Sequence, residues 1–128
     1  MTFDDIERAV ITAVVCFPEQ ALPLVPEVEI DDFGEFFHKY VWTAVRELEA
    51  AGTPIGVLAI IDYLFSRYQL ANDGRCTERD EADIAVKLGT LFVLSPHSGD
   101  ADEHCKRLAK YARALRTIRH AREERLAG

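Results

Sequence analysis

The chain has 128 residues, enough to close one hydrophobic core without disulfides or a structural metal. Its apolar fraction is 48%, yet no apolar run nears the roughly 18 residues of a bilayer span, so a soluble protein with no membrane segment is expected. The net charge of −7 is uneven: residues 105–128 hold eight Lys or Arg against Glu123 and Glu124, so the acidic body disfavours contact with a phosphate backbone and only the C-terminal stretch could make one. Cys16, Cys76 and Cys105 are an odd, widely spaced set without a Cys-x-x-Cys pair, which suits a reducing compartment. Asp4, Asp5 and Glu7 stand where a secretory signal would be positive, so a cytoplasmic location is expected.

Asp4 and Glu7 have the spacing of a capping box, with Phe3 as its hydrophobic staple. Ile6, Val10, Ala13, Val14 and Phe17 then share a helical face, flanked by Ile11, Val15 and Cys16, and Pro18 ends the run. A surface this broad predicts burial on two sides. In residues 21–26, Pro23 and Pro26 remove backbone donors and leave room for a turn at most. The stretch Asp31–Leu48 carries the only Trp and three of the seven Phe, with helical spacing at Phe37, Val41, Ala44, Val45 and Leu48. It predicts the central helix, with Trp42 and Tyr40 off the stripe and facing further neighbours. Gly52 reads as a stop, Thr53 as an N-cap and Pro54 as the first residue of a helix striped by Leu58, Ile61, Leu64, Phe65 and Tyr68. Residues 69–80 are polar, with a turn at Asn72-Asp73-Gly74. Ile84, Ala85, Leu88, Leu91 and Phe92 predict one more helix before Pro96.

After a connector over residues 95–99, Asp100 and Glu103 offer a second capping box for a helix from about Ala101 to Arg125. Leu108, Tyr111, Ala112, Leu115, Ile118 and Leu126 form its apolar stripe. Arg or Lys recurs every third residue from Arg107 to Arg125. Each such step falls about 60° short of a helical turn, so the basic row winds around the helix and crosses the stripe near Arg119 and Arg122. Beyond Ile118 the guanidiniums need acidic partners, solvent or phosphate. The expected fold is therefore an all-α, compact orthogonal bundle of five to six helices: a helical head over residues 1–100, and a long basic helix over 101–128 in the same domain. The expected core comprises Val10, Val14, Phe33, Phe37, Val41, Trp42, Val45, Leu48, Ile61 and Leu64.

The acid before Phe33, Phe37-His38, Val41-Trp42, Ala44-Val45 and Leu48, followed by Gly52 and Pro54, resembles the N-terminal domain of DnaB-type replicative helicases. Ile6-Glu7-Arg8-Ala9-Val10 and Phe17-Pro18 fit that family's first helix. The sequence departs from the pattern at the proline-rich residues 21–26 and at Gly56, where the family commonly has Asp. The resemblance covers the head and the first arm of the family's helical hairpin. It implies self-association of such heads into a ring collar and docking of primase; no cofactor is expected.

No Gly-x-x-x-x-Gly-Lys-Ser/Thr loop occurs in the chain, so it lacks the phosphate cradle of a P-loop ATPase, and no catalytic residue is expected. His97, His104, Cys105 and Cys76 lack the paired spacing of a zinc site. His38 near Asp31, Asp32 and Glu35 reads as an imidazole behind an acidic helix cap rather than as a general base. First-turn acids such as Asp4, Asp5 and Glu7 suit the helix dipole. The expected function is a non-catalytic interaction module of the replication machinery, with itself, primase or the replicative helicase as partner. Its candidate interface is the stripe Leu108, Tyr111, Leu115 and Ile118, unpartnered without a second hairpin arm, together with Arg116, Arg119 and Arg122. Two alternatives are a stand-alone phage or mobile-element decoy or loader acting on a host helicase or primase, and a small nucleic-acid-binding protein using the C-terminal basic row.

Overall fold

Helix α1 (Phe3–Cys16) carries Val, Ile and Ala around most of its circumference, so it can satisfy the hydrophobic effect only by being surrounded. Ala9, Val10, Ile11, Ala13, Val14 and Val15 are all buried. The computed structural model describes residues 3–71, 74, 77–93 and 101–127. Among the described residues it is all-α, with no strand. The elements after α1 are α2 (Pro18–Ala21), α3 (Phe36–Ala50), α4 (Val57–Ala71), α5 (Glu78–Val93) and α6 (Ala101–Ala127), with 3₁₀ turns at Leu22–Leu24 and Ile30–Asp32. Helix α1 packs against α2, α3, α5 and, most extensively, α6. The central position expected of the Trp42 helix thus belongs to α1.

The prolines act as the sequence implies. Pro18 begins a single turn of α2, and Leu22–Leu24 continues only as 3₁₀. Helix α3 starts at Phe36, later than the stretch that opens at Asp31, because Ile30–Asp32 is a separate 3₁₀ turn. Glu35 caps α3, its side chain accepting from Phe37 N at 3.2 Å. Gly52, at φ +71°, ends the helix. Thr53 N donates to Leu48 O at 2.9 Å and Gly52 N to Glu49 O at 3.1 Å, the paired bonds of a Schellman stop. Helix α4 begins at Val57 rather than Pro54, so Thr53, four residues before it, does not stand at its N-cap position. The polar loop is shorter than its composition suggests, since α4 runs to Ala71 and α5 starts at Glu78. Thr77 caps α5: its Oγ1 accepts from Asp80 N at 3.2 Å, and Asp80 Oδ2 accepts from Thr77 N at 3.0 Å.

Val10, Val14, Phe33, Val41, Trp42, Val45 and Leu64 lie in the core, while Phe37, Leu48 and Ile61 are partly buried against it. On α4 the inward stripe is Ile60 and Leu64, and Leu58 is exposed; the helix is rotated from the stripe read in sequence. Trp42 is fully buried, 5.2 Å from the Phe33 ring, and its Nε1 donates to Val28 O at 3.1 Å. Arg46 lies over the indole, 4.8 Å from its centroid, and Nη2 donates to Val25 O and Val28 O at 2.7 and 3.0 Å. One cation thereby ties the irregular 25–28 segment to α3.

The side chains of Phe3, Asp4 and Phe92 lie outside the described residues, as do Asn72, Asp73, the Asp100–Glu103 box and the connector over 95–99.

Candidate interaction surfaces

Among the described residues two acids, Glu7 and Asp32, are buried; Glu7 is held by donors distant in the chain, Asp32 by a local amide and an ion pair to α6. Glu7 is 1% exposed. Its Oε1 accepts from Gly34 N and Glu35 N, both at 3.2 Å, and stands 2.9 Å from His38 Nδ1. An ionised carboxylate can only accept, so His38 Nδ1 carries the proton and donates. Burial pushes the Glu7 carboxyl upward, but the bonds from His38, Glu35 and Gly34 outweigh it and hold the group below the ordinary glutamate range. The capping box read between Asp4 and Glu7 is therefore corrected on the Glu7 side. That carboxylate serves the N-terminus of α3, where the helix dipole favours it. His38 pairs with Glu7, not with Asp31, Asp32 or Glu35, and at 4% exposed it is shut away from any substrate.

The second buried acid, Asp32, accepts from Glu29 N at 2.8 Å and lies 3.1 Å from Arg119 Nη1. Arg119 also donates to Glu29 at 2.7 Å, and that bond holds the Glu29 carboxyl below its usual range. Arg116 pairs with Glu27 at 3.1 Å. The basic row meets its acidic partners in the 27–32 segment of its own chain, where it crosses toward the body.

The interface candidates on α6 divide between buried, half-buried and ion-paired side chains. Leu108 and Leu115 are buried within the molecule, on the helix that packs along α1. Tyr111 and Ile118 are half-buried. Arg116 and Arg119 are engaged as above, while the side chains of Arg122 and Leu126 lie outside the described residues. Lys110, Arg113 and Arg125 point to solvent.

The open surface lies elsewhere. A groove of about 300 Å³ runs between α3, α4 and α5, with Phe37, Leu64 and Ile84 among its lining. Tyr40 and Tyr68 form aromatic walls, Asp80 and Asp83 stand with Lys87 along α5, and Arg67 joins from α4. Tyr68 Oη donates to Asp80 at 3.2 Å, and Thr77 bonds hold the Asp80 carboxyl below its ordinary value. Beside the groove Phe36 is 68% exposed, its ring edge-on to Tyr40 at 5.0 Å. The Phe36–Tyr40 spacing of four residues on a helix is the sequence signal for this surface.

Among the described residues, no three His, Cys, Asp or Glu are grouped to hold a metal. Cys76, His97 and the side chains of His104 and Cys105 lie outside them, and Cys16 is a free, exposed thiol. No helix among the described residues is long and apolar enough to cross a membrane.

Residues 3–110 match the model of the DnaB-like helicase N terminal domain, and the chain belongs to that family. The domain is a helicase-associated, non-catalytic one. The match ends inside α6, so the Arg116 and Arg119 contacts lie beyond it. A comparison with curated proteins finds no match.

Proposed function

We propose that this domain is a protein-interaction module of the DNA replication machinery, acting in the cytoplasm, that self-associates and docks the helicase-binding domain of primase. The family match over residues 3–110 carries this reading. Two features support a protein partner over nucleic acid: the body is acidic, and Arg116 and Arg119 are paired with carboxylates of the same chain. Lys110, Arg113 and Arg125 face solvent, and phosphate binding grows with the number of phosphates neutralised. The test is calorimetric titration of the protein with the helicase-binding domain of primase at moderate salt. Saturable binding is expected. An absence of heat at all concentrations, together with binding to the helicase ring, would replace the reading with that of a decoy or loader acting on the ring.

A further inference from the structure

We infer that the acidic segment over residues 27–32 is an autoinhibitory mask: its carboxylates occupy Arg116 and Arg119 of α6 in place of the phosphates of a nucleic acid, and neutralising them opens α6 as a phosphate-binding face. The inference goes beyond the protein-partner reading above and does not depend on it. Residues 107–125 hold seven Lys or Arg against Glu123 and Glu124, so α6 by itself carries the charge to bind a polyanion. The row turns by about 60° at each three-residue step, so Arg113, Arg116 and Arg119 share about 120° of the circumference. The acidic segment covers the last two. Glu27 Oε2 lies 3.1 Å from Arg116 Nη1, and Glu29 Oε2 and Asp32 Oδ1 lie 2.7 and 3.1 Å from Arg119 Nη1. A guanidinium reads carboxylate and phosphate oxygens with the same fork of donors, so each carboxylate stands where a phosphate oxygen would. Of the neighbouring cations, Lys110 and Arg113 are left facing solvent.

The mask is mounted from behind. Val25 and Val28 are buried, Arg46 Nη2 donates to both of their carbonyls, and Trp42 Nε1 donates to Val28 O. These bonds to α3 hold Glu27 and Glu29 against α6 whether or not the two acids are charged. The outer pairs are themselves open, with the Glu27 and Glu29 side chains 77% and 64% exposed. Ion pairs so open contribute little to stability and are screened by salt, which makes them exchangeable for another anion. Arg119 also has donor capacity to spare: its Nε is buried without a hydrogen-bond partner among the described residues, Glu123 standing 3.5 Å away. The remaining charges nearby do not alter the pattern. Glu123 is shared with His120 at 3.6 Å, and Asp31 lies 3.8 Å from Lys39 of α3.

The experiment is fluorescence anisotropy of a labelled single-stranded DNA oligonucleotide titrated with the full-length chain between about 50 and 200 mM salt. The unmasked variant is Glu27→Gln with Glu29→Gln, which leaves the buried Asp32 and the Arg46 bonds in place. Its control is Asp62→Asn with Glu81→Gln, the same change of net charge at exposed positions of α4 and α5. The unmasked variant is expected to bind about tenfold more tightly than the parent at the lower salt. Its plot of log affinity against log salt should steepen by about 1.4, the value for two further phosphates on a single strand. The control should stay within about twofold of the parent, and Arg116→Gln added to the unmasked variant should reverse part of the gain. Circular dichroism melts check each fold; should the double variant melt early, Glu27→Gln alone, at the more exposed of the two acids, is expected to gain about threefold. Equal gains in the unmasked variant and its control would show an effect of net charge and overturn the mask. Unchanged affinity and slope in the unmasked variant would overturn it as well. The primase titration decides the protein-partner reading separately in every case.

Discussion

His38 Nδ1 lies 2.9 Å from Glu7 Oε1, joining α1 to the first turn of α3 across 31 residues of chain. Both side chains are buried, and the Gly34 and Glu35 amides complete the carboxylate's shell. Glu7→Gln keeps one acceptor for those amides but removes the charge, and is expected to cost about 1.5–3 kcal/mol at neutral pH. The sign with pH follows from the depressed Glu7 carboxyl. Such a group stabilises the fold above its unfolded-state value, and loses that contribution as pH falls through the lower folded value. The gap between parent and variant in urea unfolding should therefore be full at pH 7 and shrink below the ordinary glutamate value of 4.5. An equal gap at pH 7 and pH 3 would contradict the pairing.

Trp42 combines a packed ring with a bond from Nε1 to Val28 O. Trp42→Phe keeps most of the packing and loses that donor. Because Val28 O still accepts from Arg46, the penalty is expected near 1 kcal/mol, whereas Trp42→Ala opens a cavity and should cost about 3–5 kcal/mol. Chemical denaturation followed by circular dichroism separates the two.

Gly52 sits at φ +71°, and no atom lies within 4 Å of the place a β-carbon would take, so a methyl group there meets no neighbour and only the backbone is strained. Gly52→Ala should lower stability by about 1–2 kcal/mol. Ala51→Gly, one residue earlier and outside the left-handed region, lacks that penalty. Thermal melts of the two variants check the contrast.

Leu115 is 1% exposed, so Leu115→Ala should destabilise the monomer by about 2–5 kcal/mol. Lys110→Glu, on the solvent side of the same helix, should change stability by less than about 0.5 kcal/mol. Were the α6 stripe an open interface, the order would reverse: Leu115→Ala would spare stability and alter only association.

Arg119 joins α6 to Glu29 and to the buried Asp32. Arg119→Ala strands the Asp32 carboxylate with only the Glu29 amide as partner. Hydrogen exchange should then accelerate over residues 113–125 of α6 and residues 29–33, while α4 and α5 keep their protection. Uniform acceleration would show that the contact supports the whole fold rather than one end of α6.

The apolar spacing of α1, α3, α5 and α6, the stop at Gly52 and the breaks at Pro18 and Pro23 were determined by the sequence itself, because these are local matters of periodicity and backbone freedom. So was the winding of the basic row, which follows from a three-residue step on a 3.6-residue helix. Local rules failed where a distant partner changed the use of a side chain. Glu7 has capping-box spacing, yet three donors from the start of α3 claim its carboxylate. Thr53 looks like an N-cap, yet α4 starts four residues later, at Val57. Helix α4 has apolar residues on both Leu58 and Ile60 faces, and spacing cannot rank them; packing against α3 and α5 turned Ile60 and Leu64 inward. The same holds for α6, whose stripe looks unpartnered in sequence and is met by α1. The sequence alone determined which residues could be buried on each helix. Only the tertiary structure decided which were, since burial is a contest among neighbours far apart in the chain, and it left the outer edge of α3 and the groove beside it as the open face.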